Sequence, residues 1–373
     1  MNSFPFGSGR PDPESFPNRG LAEAAMRILP ELGDELALYP GNLGFEPMRR
    51  LMSQRFEKRE GVPLPPEQIA LTTGSMQAVT LMAQAFVDSP GDVILMEEFS
   101  YSGTIGAYKQ EGAELVGIPL DENGMRMDAL EKTIDELGNA GRKPKFIYAL
   151  VTYQNPTGSI MPIDRRLDLL DIAGRHQIPV VEDHCYADTV YEDCHEPALY
   201  TLEHECPVVH IESLSKILGP GVRMGYLAAP QPLLNEILKF RRDGGASTLS
   251  AAIVYEYFRE QLWDHVGNIN TIVKEKRDLM FHMLADSPDV FEWFSKPKGG
   301  LFIWVKLTDG VDRSALSSLA ESRNIDYASG SAFHVRGEDV PFIRLAFGYS
   351  SLDQIREGIP LLADCVRQCR IAS

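Results

Sequence analysis

Between about residues 69 and 228 short apolar runs alternate with stretches of helical periodicity, and no other feature limits the fold as much. Ile69 to Thr73, Val93 to Met96, Phe146 to Val151, Ile178 to Val181, Val208 to Ile211 and Met224 to Ala228 read as strands. They are continuously apolar rather than alternating, the pattern of strands covered on both faces. Between them Met76, Val79, Met82, Ala83 and Phe86 recur at helical spacing, and Arg165 to His176 is amphipathic. Strands alternating with helices predict an α/β fold on a largely parallel sheet with helices on both faces. After about Leu233 the pattern changes. Arg259 to Leu284 predicts one helix or two, Leu301 to Lys306 and Phe342 to Phe347 predict strands, and Arg313 to Ser322 a helix. This reads as a second, smaller α+β unit. Upstream, a helix is predicted from about Glu46 to Lys58. Residues 1–20, rich in Pro, Gly and Ser, read as an extended arm rather than a packed element.

Composition narrows the class. A chain of 373 residues has room for two or three structural units. Its 44% hydrophobic and 24% charged residues exclude a disordered or fibrous protein. The 36 Lys and Arg against 53 Asp and Glu leave a net charge of −17. That balance argues against nucleic-acid partners and anionic membrane surfaces, both of which demand basic residues. The five cysteines, Cys185, Cys194, Cys206, Cys365 and Cys369, are sparse and odd in number, which favours a reducing compartment over a disulfide framework. Met1-Asn2-Ser3-Phe4-Pro5-Phe6 is no secretory signal, and no apolar run is long enough to span a bilayer. A cytoplasmic location is expected.

In an open parallel sheet ligands bind beyond the carboxyl ends of the strands, and four such ends carry suggestive residues. Thr72-Thr73-Gly74-Ser75-Met76-Gln77 turns from strand to helix. The free N–H groups and dipole of such a helix start favour an anion, although an ordinary Ser cap fits as well. Gln154-Asn155-Pro156-Thr157-Gly158 is turn chemistry that alone reads as a tight loop. Asp183, closing Val181-Glu182-Asp183, needs a cationic partner or a cap if buried. Ser213-Leu214-Ser215-Lys216 is followed by Pro220-Gly221-Val222-Arg223. A desolvated lysine there becomes a usable nucleophile, whereas a solvated one is an ordinary surface residue. Each signal alone is weak. One ligand explains the ordered set: a ring with a phosphate, a basic nitrogen and an aldehyde, which is pyridoxal 5′-phosphate (PLP).

With these motifs the sequence resembles the fold type I, class I/II aminotransferases over nearly its whole length, and most closely the branch of 2-aminoadipate and kynurenine aminotransferases. The resemblance extends to Gly9-Arg10-Pro11-Asp12-Pro13-Glu14-Ser15-Phe16-Pro17, Tyr39 with Gly44, Tyr101, Tyr186, Gly225, Gly299-Gly300-Leu301-Phe302 and Ile343-Arg344-Leu345. It implies a mainly parallel, seven-stranded sheet flanked by helices in a large PLP-binding domain (46–245), an N-terminal arm (1–45) that serves the substrate site and the dimer, and a small α+β domain (246–373).

The resemblance also implies roles. Lys216 forms the internal aldimine and then shuttles the proton between Cα and the cofactor. Asp183 pairs with the ring nitrogen and keeps it protonated, so that the ring accepts the carbanion electrons. Asn155 and Tyr186 bond the phenolic oxygen, and Tyr101 stacks on the ring. The turn at Gly74, Ser75, the Met76 N–H, Ser213 and Arg223 hold the phosphate, with Ser215 either a contact or a cap. Tyr39 reaches the partner's phosphate, which makes the unit a homodimer with shared active sites. Arg344 clamps the substrate carboxylate with its fork, and Asn155 and Tyr39 also serve substrate binding.

Two departures bear on the substrate. Glu182-Asp183-His184-Cys185-Tyr186 stands where the family usually has Glu-Asp-Asp-Pro-Tyr, and Arg10 stands where an apolar residue is common. Arg10 either reads an acidic substrate or lies on the surface. Phe4, Phe6, Tyr39 and Tyr101 are expected to give an aromatic pocket. His184, Cys185, Cys194, His195, His204 and Cys206 lack compact ligand pairs, so no metal is expected, and Cys365 and Cys369 read as packing. The activity expected is transfer of an amino group between an L-amino acid and a 2-oxo acid, with glutamate and 2-oxoglutarate as the default pair. PLP-dependent elimination, decarboxylation or other Cα chemistry is the alternative. A non-catalytic ligand sensor fused to a DNA-binding segment is disfavoured by the acidic charge and by the opening motif at residue 7.

Overall fold

The computed structural model describes residues 3–203 and 205–371. His204, one of the loose His/Cys set, lies outside them. The central sheet has seven strands in the spatial order Ile69–Thr72, Gly225–Ala228, Val208–Ser213, Val180–Asp183, Phe146–Ala149, Val93–Glu97 and Glu114–Ile118. All neighbours run parallel except Gly225–Ala228, which is antiparallel to both strands beside it. Ile69–Thr72, Phe146–Ala149, Val180–Asp183 and Val208–Ser213 are buried along their whole length, as continuous apolar runs require. Glu114–Ile118 has no counterpart in the sequence reading. It is an edge strand, buried only at Ile118, so it lacks that signature.

The helices Ser75–Phe86 and Ser102–Gln110 follow their strands closely, and Ile163–His176 follows Phe146–Ala149 after the turn that holds Asn155. The 38-residue helix Thr248–Ala285 is a single element that begins earlier than its apolar periodicity suggested, because the Ser247 side chain accepts from the Ser250 N–H and caps it. It packs against Asn18–Ile28, Glu46–Glu60 and Leu352–Gln368. Beyond it, an antiparallel sheet orders Phe291–Phe294, Phe302–Leu307, Phe342–Ala346 and Ala328–Ser329, with helices Arg313–Ser322 and Leu352–Gln368.

The arm departs from expectation. Phe4–Pro5 pairs in parallel with Ile325–Asp326, and the first helix already starts at Asn18. Phe4 and Phe6 are buried, since Gly358 lacks a Cβ where one would strike both rings at 2.6 Å. Burying two aromatic side chains stabilises the arm by roughly 3–6 kcal/mol. Buried Asp12 binds buried Lys276 at 2.6 Å and fixes the next turn. The arm is therefore packed, and Phe4 and Phe6 belong to the core rather than to an aromatic substrate pocket. No described helix is long and apolar enough to cross a membrane.

Candidate active site

Strand ends, helix starts and the arm converge on a cavity of about 140 Å³ lined by Ser75, Met76, Tyr101, Leu150, Asn155, Asp183, Cys185, Tyr186, Ser213, Ser215, Lys216, Pro220 and Arg223. Larger clefts lie elsewhere. One of about 1020 Å³ is lined by Asp12, Glu14, Glu275 and Asp353, and one of about 760 Å³ by Trp293, Trp304 and three lysines. Neither holds a lysine, a carboxylate and an anion loop together at strand ends, so chemistry rather than size picks out the small one.

One wall is an anion cradle. Gly74 has a positive φ of 80° and starts the helix Ser75–Phe86 with its N–H groups turned to the cavity. A Cβ at Gly74 would lie 2.8 Å from the Arg223 guanidinium, so only glycine lets that cation reach the loop. Arg223 is itself left-handed (φ 55°) and donates to the Thr73 carbonyl at 2.7 Å. Ser213 donates to Ser215 at 2.9 Å across the floor. Two hydroxyls, a helix start and a guanidinium fit a phosphate.

Lys216 sits just past the strand Val208–Ser213. Burial outweighs its neighbours and pulls its ammonium down to about 8. It donates to the Gly9 carbonyl at 2.9 Å and stands 5.4 Å from the centre of the Tyr186 ring. Asp183 is 5% exposed and accepts from the Tyr148 hydroxyl at 2.7 Å and the Cys185 N–H at 3.2 Å. Burial drives the Tyr186 phenol well above its usual range, so it acts as a donor. Tyr101 precedes the helix Ser102–Gln110 and is half-exposed at the mouth.

Arg344 comes from the antiparallel sheet. Its guanidinium lies between the Phe302 and Phe333 rings, at 4.1 and 4.6 Å, and burial pulls it down to about 10. It donates to Asn155 Oδ1 at 2.9 Å and to the Gly7 carbonyl at 2.7 Å, while its buried Nε has no partner. A cation with an unanswered donor beside Asn155 fits a carboxylate ligand. The arm thus lays two backbone carbonyls over two of the cations of the site, Lys216 and Arg344. Gly9 permits this approach, for a Cβ there would meet the Phe302 ring at 2.6 Å.

Two named residues are not gathered in. Arg10 is exposed, bonds Ser8 and stacks on Tyr349 at 3.9 Å. Tyr39 is 88% exposed and borders Gly244 away from the cavity. Other residues went unnoticed in the sequence. Tyr148 and Thr104 stand behind Asp183, and Glu97 is a buried carboxyl pushed up to about 8 by desolvation. A tyrosine inside a fully buried strand was the available signal, because its hydroxyl must find a partner.

Glu182, His184 and His210 lie close enough to share an ion. Both nitrogens of His210 are already bonded to carboxylates, Glu182 at 2.8 Å and Glu212 at 2.9 Å. Its two carboxylate partners outweigh burial and raise its pKa to about 9, so it is a cation with neither nitrogen free for a metal.

Comparison with known proteins matches residues 4–359 to the aminotransferase class I and II family model. The chain is 33% identical to aromatic-amino-acid aminotransferase 1 of Thermococcus litoralis over 96% of its length and 87% of the relative's. It is 30% identical to the 2-aminoadipate transaminase of Thermus thermophilus, over 97% and 89%. The structure of a Pyrococcus horikoshii kynurenine aminotransferase superposes with a TM-score of 0.93 at 30% identity, covering 100% of this chain and 92% of that one.

Proposed function

Because the chain belongs to the class I and II aminotransferases, PLP-dependent enzymes that exchange amino groups between amino and oxo acids, we propose that glutamate and 2-oxoglutarate form one of its pairs and that Lys216 carries the proton. The observation behind this reading is the convergence of a desolvated lysine, a buried strand-end carboxylate and an anion cradle on one cavity. The bound cofactor supplies an electron sink for the negative charge that develops at Cα.

The chain's own residues do the rest. Gly74, Ser75, the Met76 N–H, Ser213, Ser215 and Arg223 hold the phosphate. Asp183 holds the proton on the ring nitrogen, and Asn155 and Tyr186 hold the phenolic oxygen. Tyr101 covers the ring face. Lys216 would hold the cofactor at its aldehyde carbon through Nζ, and with the substrate amine there instead, the free Nζ would take the proton from Cα and deliver it to that former aldehyde carbon. Its lowered pKa keeps a fraction of the amine neutral near pH 7, as a base requires. Arg344 binds the substrate carboxylate with Asn155, and to do so its guanidinium exchanges the Gly7 carbonyl for ligand oxygen.

The unit we propose is a homodimer in the cytoplasm. Tyr39, exposed together with Leu36 and Leu38 on one segment, reaches the partner's phosphate. The domain limits 1–45, 46–245 and 246–373 are part of the proposal, with the long helix Thr248–Ala285 leading into the last. Arg10, stacked outside the cavity, reads an acidic side chain only if it leaves Tyr349.

The test is the absorption spectrum of the holoenzyme before and after L-glutamate. Conversion of a yellow band to the pyridoxamine form supports the reading. A yellow band that ignores glutamate overturns that pair and directs a screen to 2-aminoadipate and aromatic amino acids. Normal turnover by Lys216→Ala overturns the role of the lysine.

A further inference from the structure

The carboxylate assigned to the ring nitrogen has a support of its own, built from the neighbouring strand and from the helix that follows Tyr101. Tyr148 lies in Phe146–Ala149, the strand beside the one that ends at Asp183. Its hydroxyl donates to Asp183 Oδ2 at 2.7 Å, and both groups are buried. That bond uses the single phenolic proton, so the Thr104 hydroxyl, 3.2 Å away, must donate to the Tyr148 oxygen in turn. Thr104 is fully buried on the helix Ser102–Gln110, which follows Tyr101. A directed chain therefore runs Thr104 to Tyr148 to Asp183, and linked donors of this kind strengthen one another. Burial and the adjacent carboxylate push the Tyr148 phenol well above its usual range, which keeps the proton on its oxygen.

We propose that Tyr148, backed by Thr104, is a positioning residue that acts on the cofactor's ring nitrogen through Asp183. The inference rests on the reading that Asp183 partners that nitrogen. A carboxylate has two oxygens. The Tyr148 donor occupies Oδ2, the Cys185 N–H approaches Oδ1 at 3.2 Å, and the remaining lone pairs point to the cavity. The phenol does two things. It fixes the plane of the carboxylate, and it withdraws negative charge so that Asp183 does not take the ring proton for itself. Without it the proton shifts toward Asp183, the ring carries less positive charge, and the imine nitrogen holds its own proton to higher pH. The groups that face Asp183 are Lys216, Cys185, Tyr108, Tyr186 and Glu97, so the shift is read against a constant surround.

An internal control lies next to it. The Tyr108 ring is 5.7 Å from that of Tyr148 and equally buried, yet its hydroxyl has no hydrogen-bond partner. Tyr148→Phe and Tyr108→Phe therefore make the same chemical change in the same core, and only one breaks a bond to Asp183. The experiment loads wild type, both variants and Asp183→Asn with cofactor labelled at the ring nitrogen. It records the nitrogen NMR shift, the pH midpoint of the visible band and the melting temperature. Tyr148→Phe is expected to move the ring-nitrogen signal toward the neutral value, raise the midpoint and lower kcat by about tenfold, the scale of one hydrogen bond to a charged group, with little change in KM. Tyr108→Phe is expected to leave the nitrogen signal, the pH midpoint and kcat at wild-type values. Thr104→Val, which keeps the phenol but removes its donor, gives a smaller shift in the same direction. If Asp183→Asn shifts the signal and Tyr148→Phe does not, the inference is wrong and the site reading stands. If Asp183→Asn itself leaves the signal unmoved, the site reading fails. Equal shifts in Tyr148→Phe and Tyr108→Phe overturn the inference as a general packing effect.

Discussion

Glu97 ends its strand with one carboxyl oxygen accepting from the Leu150 N–H at 2.9 Å and the other buried without a partner. Desolvation raises it from an ordinary 4.5 to about 8, with the nearby Asp183 charge adding to the effect. The sign follows directly. The folded chain keeps this proton where the unfolded chain has released it, so the group drains stability as pH rises from 4.5 toward about 8. Glu97→Gln has the same shape and nothing to lose. Its melting temperature relative to wild type is expected to rise steadily across that interval, and a flat difference would show that the carboxyl is not held neutral. Glu97 belongs to the part of the site that sequence reading passes over. Lys216 and Asp183 were legible because their chemistry stands at predictable strand ends, in an order that one cofactor explains, and Arg344 through the family resemblance of Ile343-Arg344-Leu345. Tyr148 stands inside an apolar run and Glu97 directly behind one, and spacing does not say which neighbour either polar tip will meet.

At the scale of elements, the strands Val180–Asp183 and Val208–Ser213 share a face that is charged, although fully buried. Glu182, His210 and Glu212 meet Arg55 and Arg59 from the helix Glu46–Glu60, and Asp188 joins them. His184 beside them is pushed down by burial and stays neutral. The signs balance only when His210 is an imidazolium, which its rise from 6.5 to about 9 reflects. Its contribution to stability is full below 6.5 and is lost as pH climbs through about 9. Glu182, lowered from 4.5 to about 2, contributes above 4.5 and loses that contribution as pH falls through about 2. His210→Gln leaves two buried carboxylates short of a cation, and the cost is about 3 kcal/mol. Urea melts are expected to show that cost at pH 6 and a shrinking gap toward pH 9. A gap independent of pH would mean that the imidazole is neutral.

The same strands show what made the fold readable. Four- to six-residue runs buried on both faces announce themselves, and Arg313–Ser322 was predicted at its observed limits. Glu114–Ile118 was missed because an edge strand is only half apolar. The arm was misjudged because its Pro and Gly content suggests a loop, while the Phe4 and Phe6 side chains supply the burial that composition cannot locate.

For the whole molecule, the decisive question is whether one chain completes its own site. Within the chain Tyr39 turns away from the cavity that holds Lys216, and its ring is left 88% exposed. Leaving that much of an aromatic side chain in water is unfavourable for a monomer, and Leu38 at 66% and Met26 at 70% add to it. A two-fold dimer that covers this surface would bring each Tyr39 to the other chain, because an isologous interface exchanges the same residue in both directions. Complementation tests it. Tyr39→Ala and Lys216→Ala are each expected to be nearly inactive as pure dimers. In a dimer of one with the other, the intact lysine faces the intact tyrosine at one site, and both defects fall together at the second. Random reassociation then makes half the dimers mixed and half their sites whole, so activity should return to about a quarter of wild type. Absence of recovery, with mixed dimers verified by mass, would mean that Tyr39 serves its own chain or none. Recovery would show that the site is assembled from two chains, and would explain why so large an aromatic side chain stands exposed on the single one.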